Sequence, residues 1–162
     1  MSQSRIQIDH IHLTVDTPFE AFTAALEKGL GQFDPDVYRE LREGADPAAV
    51  KARIESMAGP SGLMLFKTSD HGALLRIVGT AGKAMQYIIG NPLFAIEMTR
   101  HAIGAALYAP LRVLVYEDTS GKTCIEYDLP SSLFGQFGNE GVDRVAASLD
   151  RKLEVWLATA AR

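Results

Sequence analysis

Apolar residues along this chain change their spacing three times, and the changes mark its parts. From Ile6 to Val15 they alternate, with Ile6 and Ile8 on one face and Ile11, Leu13 and Val15 on the other. A period of two predicts a strand, and the slip in phase near Asp9-His10 predicts a bulge within it. The spacing then turns helical: Phe19, Phe22, Leu26 and Leu30 recur behind Thr17-Pro18-Phe19-Glu20. That tetrad reads as a capping box with proline at the first helical position, so a helix over 18–30 is expected.

Residues 31–60 are polar and alanine-rich and contain two Asp-Pro pairs, Asp34-Pro35 and Asp46-Pro47. Each pair suits a helix start with aspartate as the cap, which predicts two short helices. The second carries Val50, Ile54 and Met57 on one face and stops at Gly59-Pro60. This stretch reads as a helical elaboration on the rest.

From Gly62 onward, short apolar runs alternate with turn residues, and runs at 63–67, 73–78, 85–89, 111–117 and 122–128 read as five strands. Asp118-Thr119-Ser120-Gly121 predicts a hairpin between the last two, and Gly79-Thr80-Ala81-Gly82 one between the second and third. A helix interrupts the series: Asn91 caps it, Pro92 opens it, and it runs through Leu93, Ile96 and Glu97 toward His101, ending at Gly104. The last helix, over 139–160, starts at Asn139 and carries Val142, Val145, Ala146, Leu149, Leu153, Trp156 and Leu157 as one apolar stripe. A stripe of that width must cover a sheet.

The predicted class is therefore α+β: an antiparallel sheet of about five to six strands with helices on one face, in one domain spanning 1–162. The length of 162 residues allows a sizeable core without staples, and 47% hydrophobic with 22% charged residues is ordinary globular usage. A net charge of -4 and scattered Lys and Arg argue against a nucleic-acid partner. With one cysteine, Cys124, the chain can form neither an internal disulfide nor a four-thiolate metal site. Met1 to Asp9 hold no apolar run suited to a signal peptide, and no stretch reaches the roughly 20 apolar residues of a membrane span. The chain is expected in the cytoplasm, away from membranes.

Three spaced motifs, Asp70-His71-Gly72-Ala73, Ile89-Gly90-Asn91-Pro92-Leu93 and the run from Leu107-Tyr108-Ala109-Pro110-Leu111 to Asp118, agree in order and separation with one pattern. Over 63–134 the chain resembles the domain-of-unknown-function 302 family. The resemblance implies helices packed on one face of a curved antiparallel sheet, somewhat like the TATA-binding-protein fold, and a homodimer. Ile89 departs from the phenylalanine that many members carry there.

Candidate chemistry is sparse. Gly90 and Asn91 at a strand-to-helix junction can offer free N–H groups to an anion, or simply cap the helix. His71 is the best candidate for a general base, since histidine titrates near neutral pH, although Asp70 beside it in a strand would face away. His10 and His12, two apart in a strand, share a face but lack the further ligands a metal needs; no metal site is assigned. Met98 and His101, three apart on a helix, cannot ligate opposite faces of one haem. Arg112 among apolar neighbours suits a bound anion, and Tyr87, Tyr108, Tyr116 and Tyr127 suit half-buried positions with a hydroxyl free to reach a partner. Cys124 reads as a buried apolar residue.

No complete catalytic set emerges. The leading reading is a homodimeric module that binds a small anionic or apolar ligand through Gly90, Asn91, Arg112 and Tyr127. The alternatives are an enzyme using His71 as acid or base, with Asn91, Tyr127 or Arg112 polarising the substrate, and a structural or protein-interaction subunit.

Overall fold

The computed structural model describes residues 3–162. Six strands form one sheet in the order β1-β6-β5-β4-β3-β2: β1 (His10–Val15), β2 (Gly31–Gln32), β3 (Met64–Asp70), β4 (Ala84–Gly90), β5 (Leu111–Glu117) and β6 (Thr123–Asp128). Every pairing is antiparallel except the short β2–β3 contact. Seven helices accompany it: α1 (Phe19–Lys28), α2 (Asp36–Arg42), α3 (Pro47–Met57), α4 (His71–Leu75), α5 (Pro92–Thr99), α6 (Pro130–Phe134) and α7 (Glu140–Ala160). The α+β class and the long C-terminal helix follow the hydrophobic pattern. No helix among the described residues is long and apolar enough to cross a membrane.

The strands alternate as half-buried strands must. Tyr87 and Ile89, Val113 and Val115, and Ile125 are fully buried on one face, under Phe22 and Leu26 of α1 and Leu149, Leu153 and Trp156 of α7. Trp156 also donates its indole N–H to the Leu26 carbonyl at 2.9 Å, tying the two helices together. The 21-residue α7 starts where Asn139 accepts from the N–H groups of Gly141 and Val142. On the opposite face of the same strands Gln86, Ile88, Leu114, Tyr116 and Glu126 are only half-buried and Arg112 is exposed.

One end of that opposite face is covered. In β3 Leu65 packs into the main core, whereas Met64 and Phe66 join a second cluster with Val37 of α2, Val50 and Ile54 of α3, and Leu93. The two Asp-Pro helices supply this cover; α3 begins with its aspartate cap as expected, whereas α2 begins after Pro35 with no side-chain cap. Asp46 accepts from Ala48 and Ala49 at the start of α3, and Asp34 accepts from the Asp36 N–H at 3.0 Å. Arg53 of α3 then bridges Asp34 and Glu40.

Four local expectations are corrected. Residues 73–78 are helical, not a strand, and no hairpin forms at 79–82. The Asp70 carboxylate accepts from the Ala73 N–H at 2.8 Å and so starts α4, which passes through a 3₁₀ turn at Arg76–Val78 before β4 begins. Gly72 allows this close return, since a Cβ there would lie 2.5 Å from the Gly82 carbonyl oxygen. The bulge sits in β3, between Leu65 and Lys67, and β1 is regular from His10. The capping box at Thr17 does not form: α1 starts after Pro18 without a side-chain cap, and the Thr17 hydroxyl donates to the Ala161 carbonyl instead. Finally, α5 stops at Thr99, ahead of Gly104, which lies in a separate 3₁₀ turn.

Candidate functional site

The Gly90-Asn91-Pro92 turn ends β4 and starts α5, and its polar atoms are spent on the fold. The Asn91 side-chain oxygen accepts from the Leu93 N–H at 2.9 Å, and its amide donates to the Gly62 carbonyl at 3.0 Å. Pro92 has no N–H to offer, so the helix start presents little to an anion. Next to this turn the Ala109-Pro110 peptide, which is cis, leads into β5. The two turns together flank a small cleft of about 80 Å³.

That cleft is apolar. Phe66, Pro92, Phe94, Met98, Pro110 and Phe134 form most of its wall, Asn91 and Tyr38 supply the polar side chains, and no Lys, Arg or His lines it. Gly90 matters here through its missing side chain. Its backbone has no positive φ, and a Cβ would sit 3.5 Å from Pro110 and 3.7 Å from Phe66, ordinary contact distances inside the cleft. An apolar lining and a few fixed polar groups are usual features of a small-molecule site, and the small volume limits the ligand group to a compact one.

The remaining sequence candidates lie elsewhere. His71 is the first residue of α4 and lines a polar cleft with Lys83, Gln86, Tyr116 and Glu126, over the open face of the sheet. It shares no cleft with Asn91. Arg112 projects from the open face opposite Ile88, exposed and without an ion pair among the described residues. Tyr127 belongs to the helix-covered side and lines a third groove, between β1 and α7. The five residues proposed from sequence are thus divided among four places.

The histidine pair on β1 does share a face, as period two requires, but both His10 nitrogens and the His12 Nε2 are engaged. His10 contacts Asp128 at 2.9 Å and Glu126 at 3.2 Å, and those hydrogen bonds, Asp128 first, raise its pKa above the usual 6.5. Tyr116 donates to the other Glu126 oxygen at 2.7 Å and lies 3.4 Å from the His12 ring. The result is a ladder, Asp128, His10, Glu126, Tyr116, His12, running across three strands. Its bonds pull Glu126 below the ordinary carboxylate range, mainly through Tyr116, and push the Tyr116 hydroxyl up to about 12. Only the spacing of His10 and His12 hints at this ladder in the sequence, because register between distant strands creates it. Among the described residues no three His, Cys, Asp or Glu side chains converge as a metal site would need. Met98 is buried in the core and Cys124 is buried in β6.

Comparison with known proteins bears on the fold. The crystal structure of an uncharacterized conserved DUF302 protein from Bacillus stearothermophilus superimposes with a TM-score of 0.65 over 93% of this chain and 97% of that one, at 16% identity. At that identity the likeness concerns the fold. No curated protein matches. The family model described as "Domain of unknown function DUF302" matches residues 37–160, which takes in α2, α3 and α7 as well as the three motifs. With the model spanning most of its length and the motifs in order, the chain belongs to the DUF302 family.

Proposed function

We propose that the protein is a small-ligand binding module whose ligand places a compact apolar body, aromatic or alicyclic, in the cleft below Gly90-Asn91-Pro92. The observation that carries this reading is the meeting of two of the three family motifs at one apolar cleft. An apolar ligand fits better than an anionic one, because the cleft has no cationic side chain and Asn91 already caps the helix start. The enclosed faces of Phe66, Phe94 and Phe134 favour a flat or rounded hydrocarbon surface.

Indole and cyclohexanol test the reading by thermal shift and by chemical-shift titration. Either is expected to raise the melting temperature of the wild-type protein in proportion to its occupancy. Gly90→Ala, whose added methyl group stands in the cleft at ordinary contact distance, is expected to weaken binding several-fold without unfolding the chain. Binding that is absent, or equal in the variant, ends this proposal.

The module acts as a homodimer in the same reading. Support comes from the exposed apolar side chains that follow His71: Leu74, Ile77 at 82% exposure and Val78 at 75% lie in one short segment beside the open face. Apolar groups grouped in this way are usually covered by a partner. Light scattering at micromolar concentration should give twice the mass of 17.6 kDa, and a monomer mass removes the dimer from the proposal.

A further inference from the structure

The groove between β1 and the C-terminal half of α7 holds a hydroxyl with no partner among the described residues. Tyr127 is only 8% exposed, yet its hydroxyl makes no hydrogen bond with the described residues and opens into the groove. The ring is buried while the hydroxyl stays open to the groove, where it can accept from a ligand. The groove offers about 390 Å³ and is lined by Leu13, Phe22, Ile125 and Leu157 among other apolar residues.

Its remaining polar side chains are two carboxylates. Asp150 and Glu154 lie one helical turn apart on α7 and both face the groove. Like charges at that spacing weaken a helix. Neither forms an ion pair with the described residues, and no Lys, Arg or His lines the groove. Asp150 uses one oxygen to accept from the Ser131 N–H at 2.9 Å, which orients it and leaves the second oxygen free. Burial, and then the Asp150 and Glu154 charges, raise the pKa of Tyr127, so its hydroxyl stays protonated at neutral pH.

We propose that this groove is a second binding site, one for a small organic cation that carries a primary ammonium group on a compact apolar body. The body covers Phe22, Ile125 and Leu157. The ammonium donates to the Tyr127 oxygen and to the free oxygens of Asp150 and Glu154, satisfying the phenol and separating the two carboxylates. A cation is the ligand that gains from all three groups, whereas a carboxylate or phosphate would be repelled by two of them.

The probe is 2-phenylethylammonium, compared with neutral 2-phenylethanol and anionic 3-phenylpropionate, by calorimetry and NMR titration on the full chain. The ammonium compound is expected to bind roughly tenfold more tightly than the alcohol, the size of a charge-assisted hydrogen bond, and the anion not at all. Tyr127→Phe keeps the ring and should weaken ammonium binding several-fold. Asp150→Asn with Glu154→Gln should erase the preference for the ammonium over the alcohol. Gly90→Ala should leave it untouched, which separates this site from the apolar cleft. The proposal is overturned if the wild-type protein binds the ammonium no better than the alcohol, or if both groove variants bind it as the wild type does.

Discussion

The two faces of the sheet are made from the same strands and have opposite fates. On the covered face Tyr87, Val113, Val115 and Ile125 are fully enclosed by α1 and α7. On the open face, one residue along each strand, stand Gln86, Arg112, Tyr116, Glu126 and the two β1 histidines. Apolar contact holds the first face; hydrogen bonds across strands organise the second, in reach of water. The difference teaches that titratable side chains gathered on one surface do not by themselves make a site. The ladder from Asp128 to His12 has its geometry, but solvent screens it, while the grooves on the covered side add apolar walls to their polar groups.

If that contrast is right, the covered face should respond most to truncation. Leu153→Ala, which removes a side chain 1% exposed between α7 and the sheet, is expected to cost about 2–5 kcal/mol in urea denaturation. A loss under about 1 kcal/mol would mean that α7 does not clamp the sheet. Asn91→Ala tests the rim between the faces. It removes the cap on α5 and the bond to Gly62, and a loss of about 1–2 kcal/mol is expected. A neutral result would separate the turn from the stability of the fold.

The open face should respond least, and with a pH signature. His10 gains its partners on folding, so its pKa is higher in the folded chain. Its contribution is full below the ordinary value near 6.5 and disappears as pH rises through the raised folded value. With its side chain 54% exposed, the pair is expected to add only a few tenths of a kcal/mol. Melting temperatures of wild type and His10→Ala should therefore differ slightly near pH 6 and coincide near pH 9. A difference that grows toward alkaline pH would show that the imidazole acts through packing and not through charge.

The legible parts of the fold were those in which one local signal was enough. Asp46, Asn91 and Asn139 cap their helices because a short polar side chain reaches the free N–H groups behind it, and the α7 stripe needed only its own spacing. The stretch 73–78 was misread for a related reason. A short run such as Ala-Leu-Leu-Arg-Ile-Val has no period long enough to separate strand from helix. Asp70 decides it by capping Ala73, and the apolar side chains then point outward. At Thr17 a capping pattern was present but the hydroxyl found a better acceptor in Ala161, at the other end of the chain.

The candidate sites were less legible still. Gly90 and Asn91 line one cleft, though what they do there differs from what their spacing suggests: Asn91 is occupied, and Gly90 leaves room. Nothing in the spacing of Tyr127, Asp150 and Glu154 joins them, because β6 and α7 meet only when the helix lies across the sheet.

By itself the sequence determined the secondary elements with strong local signals, the α+β class, and the family to which the motifs belong. These depend on interactions within a few residues, which the order of the chain fixes. Tertiary structure alone decided the side on which each candidate lies, the ladder on the open face, and which polar groups remain unspent. Those depend on register and on helix docking between residues as far apart as His10 and Asp128 or Leu26 and Trp156, and no local pattern encodes such pairings.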